Sequence, residues 1–158
     1  MLAHPKFRDF QSRRVVRQRD TINSTEPIMT TELKKTEIAS QFLTGLRTRD
    51  WDLLKSIMAD DVAWNLPGSS LISGEAKGVD AVIQRAQLIV SYGLTFTLKH
   101  ILIGRHGVAL SLNNTARRGD LVLDEHLATV LTIRDGKISA IDTYLSDIDM
   151  LNAFFVSK

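Results

Sequence analysis

Apolar residues recur along this chain with two different periods, and the first of them is helical. Ile38, Phe42 and Leu46 follow one another at four-residue spacing, which predicts an amphipathic helix over residues 32–49. Asp50 is a suitable N-cap for a short second helix, with Trp51, Leu54 and Met58 on one side. Two helices are therefore expected between residue 32 and Asp60-Asp61, which ends the second of them.

From there on, extended runs prevail. Residues 62–66 predict a first strand, a short turn lies between Gly74 and Gly78, and Val79–Ser91 predicts a third helix. Runs rich in Leu, Ile, Val and Thr then predict four strands at 95–103, 108–117, 121–133 and 137–145. A last helical segment is expected at 147–155. Helices segregated from a run of antiparallel strands predict an α+β fold.

Two turns set the expected strand register. Asp135-Gly136 between apolar runs is typical of a two-residue hairpin loop, so Ile133 opposes Ile138. Arg118-Gly119 is treated as a second such loop, and side-chain alternation then separates two sheet faces. The polar face carries Ser111, Asn113, Thr115, Arg117, Asp124, His126 and Thr143. The leucine face carries Leu110, Leu112, Leu123, Leu127, Leu131, Ile133, Ile138 and Tyr144.

These faces allow two interpretations. In the first, the leucine face is the core and the polar face meets water. In the second, the polar face lines a pocket and the leucine face is covered by a second subunit, since a large apolar patch needs covering. The pattern alone does not choose between them.

Composition narrows the chemistry. The 158 residues fit one domain, and no apolar run reaches the roughly 18 residues of a membrane span, so no membrane association is expected. Cysteine is absent, which excludes thiolate catalysis and Cys-based metal sites. The sequence shows neither a facial-triad spacing of His and carboxylates nor a Gly-rich phosphate loop, so we expect no metal and no cofactor. A cytoplasmic location fits these features.

The positive charge is concentrated at the start of the chain. Residues 1–28 hold six basic and three acidic side chains, which leaves 14 basic against 15 acidic in the rest. We therefore expect no nucleic-acid partner for the folded part. Residues 1–30 are interpreted as a basic leader, either disordered or upstream of a start at Met29, with a transit peptide less favoured. Residues 31–158 are interpreted as the folded domain.

The order of elements and several local motifs resemble the SnoaL-like branch of the nuclear transport factor 2-like superfamily. The matching pieces are residues 49–54, 58–64, 67–68, 73–74, 78–82, 134–138 and 144–155. This resemblance implies a cone-shaped bent antiparallel sheet packed with three N-terminal helices, a cystatin-like roll. It also implies a pocket for a small apolar or polycyclic ligand and a homodimer through the outer sheet face.

Known relatives within this superfamily suggest two reactions that the residues fit poorly. In limonene epoxide hydrolase an Asn, an Arg and two Asp hold a water; Asn65 and Arg117 match the first two, but Gly119 and Thr143 stand at the acids. Thr143 nevertheless favours the pocket interpretation, because the matching Asp points inward. Ketosteroid isomerase needs an Asp base where Leu66 lies, and no acid matches its oxyanion-hole Asp in the strand segment 125–133.

Two side chains are left as candidate proton-transfer groups. Asp147 stands approximately where SnoaL-like cyclases carry a catalytic Asp, although a role as N-cap of the last helix is the favoured explanation. His126 has Asp124 on the same face. With Arg117 polarising an oxygen, these make the predicted catalytic set Arg117, His126 and Asp147. The side chains expected to bind or shape the ligand are Trp64, Asn65, Leu66, Asn113, Asp124, Thr143 and Tyr144.

The functional prediction is a small-molecule-binding SnoaL-like protein with cofactor-free isomerase, cyclase or hydrolase chemistry as an open possibility. The alternative is a non-catalytic ligand-binding or dimerisation module, which the missing acids at positions 119 and 143 favour.

Overall fold

A computed structural model describes the backbone of residues 26–157 and the side chains of residues 31–157. Within this part the chain forms four helices and six strands. They are α1 (Glu26–Thr48), α2 (Trp51–Ser56), β1 (Met58–Leu66), β2 (Gly74–Lys77), α3 (Val79–Ser91), β3 (Thr95–Ile103), β4 (Gly107–Arg118), β5 (Leu121–Arg134), β6 (Lys137–Leu145) and α4 (Ile148–Phe154). The predicted α+β class is confirmed.

The helices follow the apolar periodicity, with corrections at their ends. Helix α1 begins at Glu26 instead of residue 32. The carboxylate of Asp50 accepts a hydrogen bond from Leu53 N at 3.0 Å, so the predicted N-cap of α2 is confirmed. Helix α2 ends at Ser56, and Met58 belongs to β1 rather than to the helix as predicted. Asp60-Asp61 consequently lies inside a strand and does not end the helix.

All six strands belong to one sheet in the order β2-β1-β6-β5-β4-β3. Strand β1 runs parallel to β6, which corrects the expectation of a wholly antiparallel sheet, while the other neighbours are antiparallel. Strand β2 was predicted only as a turn, because its four residues contain a single buried apolar side chain, Ala76.

The register between β5 and β6 departs from the prediction because of a β-bulge. Ile133 opposes Ile138 as predicted, but the next pair is Thr132 with Ala140, so Ser139 is an extra residue in β6. Every later pair shifts by one. Thr143 and Tyr144 therefore exchange faces relative to the prediction, because side chains alternate along a strand.

The β4–β5 hairpin is also displaced, but its faces survive. Arg118 pairs with Leu121, so the loop is Gly119-Asp120 rather than Arg118-Gly119. Asn113 then opposes His126 instead of Asp124. Because the shift is two residues, each side chain stays on its predicted face.

The leucine face of the sheet is the core. Leu110 and Leu131 are fully buried, and Phe42 of α1 and Val82 of α3 belong to the same apolar cluster. The first interpretation of the two faces is therefore correct. The second, in which the polar face lines the pocket, is wrong, because the helices of the same chain already cover the leucines.

By its internal contacts the chain divides into the units Met1–Glu32 and Leu33–Lys158, and all the strands lie in the second. The predicted leader at residues 1–30 falls almost wholly outside the described residues, apart from the start of α1, and stays a prediction. No helix in the described range is long and apolar enough to cross a membrane.

Candidate functional site

A cavity lies between the inner face of the sheet and the helices. The volume of this cavity is about 40 Å³, enough for about three water molecules. Most of its wall is apolar. Phe42 of α1 and Trp64 of β1 belong to this wall, and their rings meet edge to face with centroids 6.3 Å apart. A cavity of this size takes a larger molecule only if lining side chains move.

Four polar side chains interrupt the apolar lining. They form two cross-strand pairs, Asn114 with Glu125 and Thr129 with Thr143. All four are buried, and Glu125 is only 1% exposed. The bulge at Ser139 is what turns Thr143 inward to complete this set.

Glu125 is held by one oxygen and leaves the other without a partner. Its Oε1 accepts hydrogen bonds from Ser146 Oγ at 3.0 Å and from the backbone N–H of Asp147 at 2.7 Å. Its Oε2 is buried and has no hydrogen-bond partner among the described residues. The carboxyl group is thus fixed in orientation while one acceptor is left open.

Asn114, which opposes Glu125 on the neighbouring strand, also has an unpaired oxygen. Its Oδ1 is buried and unpaired within the described part of the chain. An unpaired buried polar atom costs about 1–3 kcal/mol, so native proteins hold few of them. Two such atoms on directly opposed residues indicate a polar group that this pair is built to meet.

Trp64 forms the rigid part of the wall. Its Nε1–H donates to Thr143 Oγ1 at 2.9 Å. The guanidinium of Arg85 lies 5.6 Å from the centre of the Trp64 ring and donates to Trp64 O at 2.7 Å and Gly74 O at 3.0 Å. Partial burial lowers the pKa of Arg85 from its ordinary value. Arg85 therefore joins β1 to β2 behind the indole.

The family model of the SnoaL-like domain matches residues 39–141, which include α2, α3 and most of the sheet. The chain belongs to the SnoaL-like domain family. No curated protein matches its sequence.

Solved structures share the fold of this SnoaL-like domain. Bal32a, from a soil-derived mobile gene cassette, has a TM-score of 0.73 at 23% identity, covering 78% of this chain and 98% of its own. A Xanthomonas campestris protein of unknown function with a cystatin-like fold has a TM-score of 0.69 at 25% identity, with the same coverage. A proposed polyketide cyclase from Sinorhizobium meliloti has a TM-score of 0.57 at 16% identity, covering 68% and 94%.

Three of the predicted ligand-binding residues of the SnoaL-like domain line the cavity, namely Trp64, Leu66 and Thr143. Thr143 does so through the bulge and not through the predicted register. The other predicted ligand-binding residues lie on the outer face of the sheet or at its edge, and they are Asn65, Asn113, Asp124 and Tyr144.

The outer-face polar residues bond to one another. Asn113 Nδ2 donates to Asp124 Oδ1 at 2.9 Å, and Asn65 Nδ2 donates to Asp142 Oδ1 at 3.3 Å. Tyr144 is exposed because the bulge turned it outward.

None of the three predicted catalytic side chains lines the cavity. Arg117 and His126 are exposed on the outer face, and Asp147 is exposed at the start of α4. The carboxylate of Asp147 accepts from Met150 N at 2.9 Å, which makes it the N-cap of that helix. The structure does not bring the three together, and a catalytic role for them stays a prediction.

Glu125 and Asn114 are the residues that the sequence interpretation missed, although a signal existed. Alternation puts Leu123, Glu125 and Leu127 on one face, so Glu125 is a carboxyl group inside an apolar row. A polar residue in a buried row is more informative than polar residues in an exposed one. Among residues 26–157 no group of three or more His, Asp or Glu side chains is arranged to hold a metal ion.

Proposed function

We propose that this SnoaL-like domain binds a small apolar molecule in its inner cavity and that Glu125 transfers a proton to or from it. The reaction class is a cofactor-free isomerisation, cyclisation or hydrolysis. Two observations carry the proposal together: Glu125 lines the cavity, and its buried Oε2 has no hydrogen-bond partner among the described residues.

The setting of Glu125 suits general acid–base work. A carboxyl group transfers a proton efficiently when it is within hydrogen-bond reach of the reacting atom and already oriented. Ser146 and the Asp147 N–H fix one oxygen of Glu125, so the other is positioned before a ligand arrives. The apolar lining keeps competing water few in number.

The comparisons support the same class. A Sinorhizobium meliloti protein of this fold is a proposed polyketide cyclase, and ring closure of that kind requires protons to be moved between carbon and oxygen. The structural similarity to that protein shows only a shared fold, so the catalytic proposal depends on Glu125.

The test uses a simple carbon acid, because the natural substrate is unidentified. Exchange of the α-protons of cyclopentanone is followed by NMR in D2O with and without the protein. We expect exchange above the buffer rate, and a loss of about 10²–10⁴-fold of the catalysed part in Glu125→Gln. The matched control is Glu75→Gln, an exposed strand carboxylate, which should exchange like the wild type. Exchange that is absent, or equal in Glu125→Gln, would overturn the catalytic proposal.

A second candidate function is a binding module without catalysis. Glu125 is the one titratable side chain among the cavity residues in the described part of the chain, so no second acid or base assists it there. This function is favoured if phenol perturbs the Trp64 indole N–H resonance while cyclopentanone exchange stays at the buffer rate.

We also propose a homodimer through the outer sheet face, for a different reason than the sequence suggested. Register aligns Tyr144, Ala128, Ser111 and His100 in one row across four strands. The 64% exposed Tyr144 ends this row, and the small residues in its middle would let the side chains of a second copy approach the sheet.

Light scattering tests the dimer. Ala128→Arg places a charged side chain in the middle of this row and should give a monomer. Ala153→Arg, on the exposed side of α4, should leave the mass unchanged. A wild-type protein that is monomeric at high concentration would refute the dimer.

A further inference from the structure

We propose that the ligand of the inner cavity is a neutral molecule with a hydroxyl group on a small apolar ring, a phenol or an enol, held by Glu125 and Asn114. This inference rests on the proposed function of the cavity and names the chemistry that the cavity selects.

The first argument is the hydrogen-bonding role of the two unpaired atoms. With the Glu125 carboxyl ionised, Glu125 Oε2 and Asn114 Oδ1 are both hydrogen-bond acceptors, and both are buried without partners among the described residues. Their strands pair these two residues directly, which puts their Cβ atoms about 4.5–5.5 Å apart. The group that satisfies them has to bring a donor, which a bare ketone or ether does not.

The second argument is charge. The cavity residues include no Lys, Arg or His, so an anionic ligand would lie beside Glu125 without a counter-charge. The nearby guanidinium of Arg85 is already committed to the backbone oxygens of Trp64, Ser73 and Gly74. Burying an unpaired charge is costly, so carboxylates and phosphates are disfavoured.

The third argument separates a hydroxyl from an ammonium group. An ammonium ion brings three donors and accepts nothing, whereas a hydroxyl brings one donor and accepts as well. Of the remaining polar groups, Thr143 already uses its oxygen to accept from Trp64. The two unpaired acceptors would leave at least one N–H of a buried ammonium group without a partner, whereas the single donor of a hydroxyl is satisfied by Glu125 Oε2.

The size of the cavity sets the last limit. A cavity of about 40 Å³ holds a few heavy atoms without rearrangement of its lining side chains. A one-ring ligand therefore needs small movements of the lining side chains, and a polycyclic ligand needs much larger displacements of side chains such as Leu127 or Leu145.

Four one-ring probes test the proposal on the full chain: phenol, anisole, benzoate and benzylamine. Binding is read from the shift of the Trp64 indole N–H resonance. We expect phenol to bind about tenfold or more tightly than anisole, which has the same ring without the O–H. Benzoate and benzylamine should bind more weakly than phenol.

A variant sharpens the comparison. In Glu125→Gln the amide oxygen takes over the donors from Ser146 and Asp147, so the N–H₂ replaces the open acceptor. The preference for phenol over anisole should then fall below about threefold, because the O–H finds no carboxyl acceptor. Glu75→Gln should keep the full preference.

The outcomes distinguish a failure of the proposed ligand class from a failure of the proposed function. Equal affinity for phenol and anisole, or tightest binding of benzoate or benzylamine, overturns the ligand class; Glu125-dependent exchange of cyclopentanone would still support the proposed function. If none of the four probes perturbs Trp64, both the ligand class and the proposed binding cavity are refuted. A phenol preference that survives in Glu125→Gln refutes the role of Glu125 in selecting the ligand.

Discussion

Trp64 and Thr143 are joined across the β1–β6 pair by a hydrogen bond of 2.9 Å from the indole Nε1–H to the threonine hydroxyl. Both side chains are buried and line the cavity. Thr143 reaches the indole only because Ser139 is an extra residue in β6. The wall of the cavity therefore depends on an irregularity of the sheet several residues away.

Thr143→Val should destabilise the protein by about 1–3 kcal/mol, because it keeps the shape of the side chain and leaves the buried indole N–H without an acceptor. The free energy of unfolding in urea, followed by fluorescence, measures this. Thr143→Ser retains the hydroxyl and should lose less. An exposed Thr97→Val on β3 serves as the second control. Equal losses in the Val and Ser variants at position 143 would show that the hydrogen bond contributes little.

Glu125→Gln should leave stability unchanged or raise it by about 1 kcal/mol, while it removes proton transfer. The amide oxygen still accepts from Ser146 and Asp147, and the new N–H₂ supplies a donor beside the unpaired Asn114 Oδ1. Urea denaturation of the two proteins measures the difference. A residue kept for structure would behave in the opposite way, and a clear loss of stability in this variant would argue against a functional Glu125.

Deletion of Ser139 should leave the domain folded. It removes only the extra residue, so Thr143 keeps Thr129 as its cross-strand partner and still points inward. An alanine inserted after Ala140 instead reverses the faces of the rest of β6 and should cause a large loss of stability. Circular dichroism and urea denaturation measure both variants, with Ser139→Ala, which loses only a 3.3 Å bond to a backbone oxygen, as the control. An unfolded deletion variant, or an insertion variant as stable as the wild type, would contradict this account of the bulge.

The same residue explains how far the sequence alone could lead. Helix α3 and strand β3 have the predicted bounds, because glycines and a change of period mark their ends. The face assignment within β4 and β5 also holds, since alternation depends only on parity. A bulge changes that parity, and the residues around Ser139 contain no sequence signal that predicts a bulge there.

The site was misplaced for a related reason. The sequence interpretation placed the site on the sheet face with more polar residues, such as His126 and Arg117. That face is exposed in the structure. Glu125 could have been found by asking which polar residue breaks an apolar row. The parallel pairing of β1 with β6 could not, because it joins strands far apart in sequence.

The ion pair between Asp61 and Arg134 gives a prediction of pH dependence. The hydrogen bond and charge of Arg134 lower the pKa of Asp61 below its ordinary value of 3.8. A folded-state pKa below the unfolded one means that the pair stabilises the protein above the unfolded pKa and loses this effect as the pH falls through the folded pKa. Both groups are exposed, so the effect is small and weakens with salt.

Arg134→Ala should therefore raise the pKa of Asp61 to about its ordinary value, because both lowering influences leave with the guanidinium. An NMR titration of the Asp61 carboxyl carbon measures the change. Lys137→Ala removes a cation at the other side of the same hairpin and should shift Asp61 little. If Asp61 titrates identically in the wild type and in Arg134→Ala, the ion pair does not persist in solution.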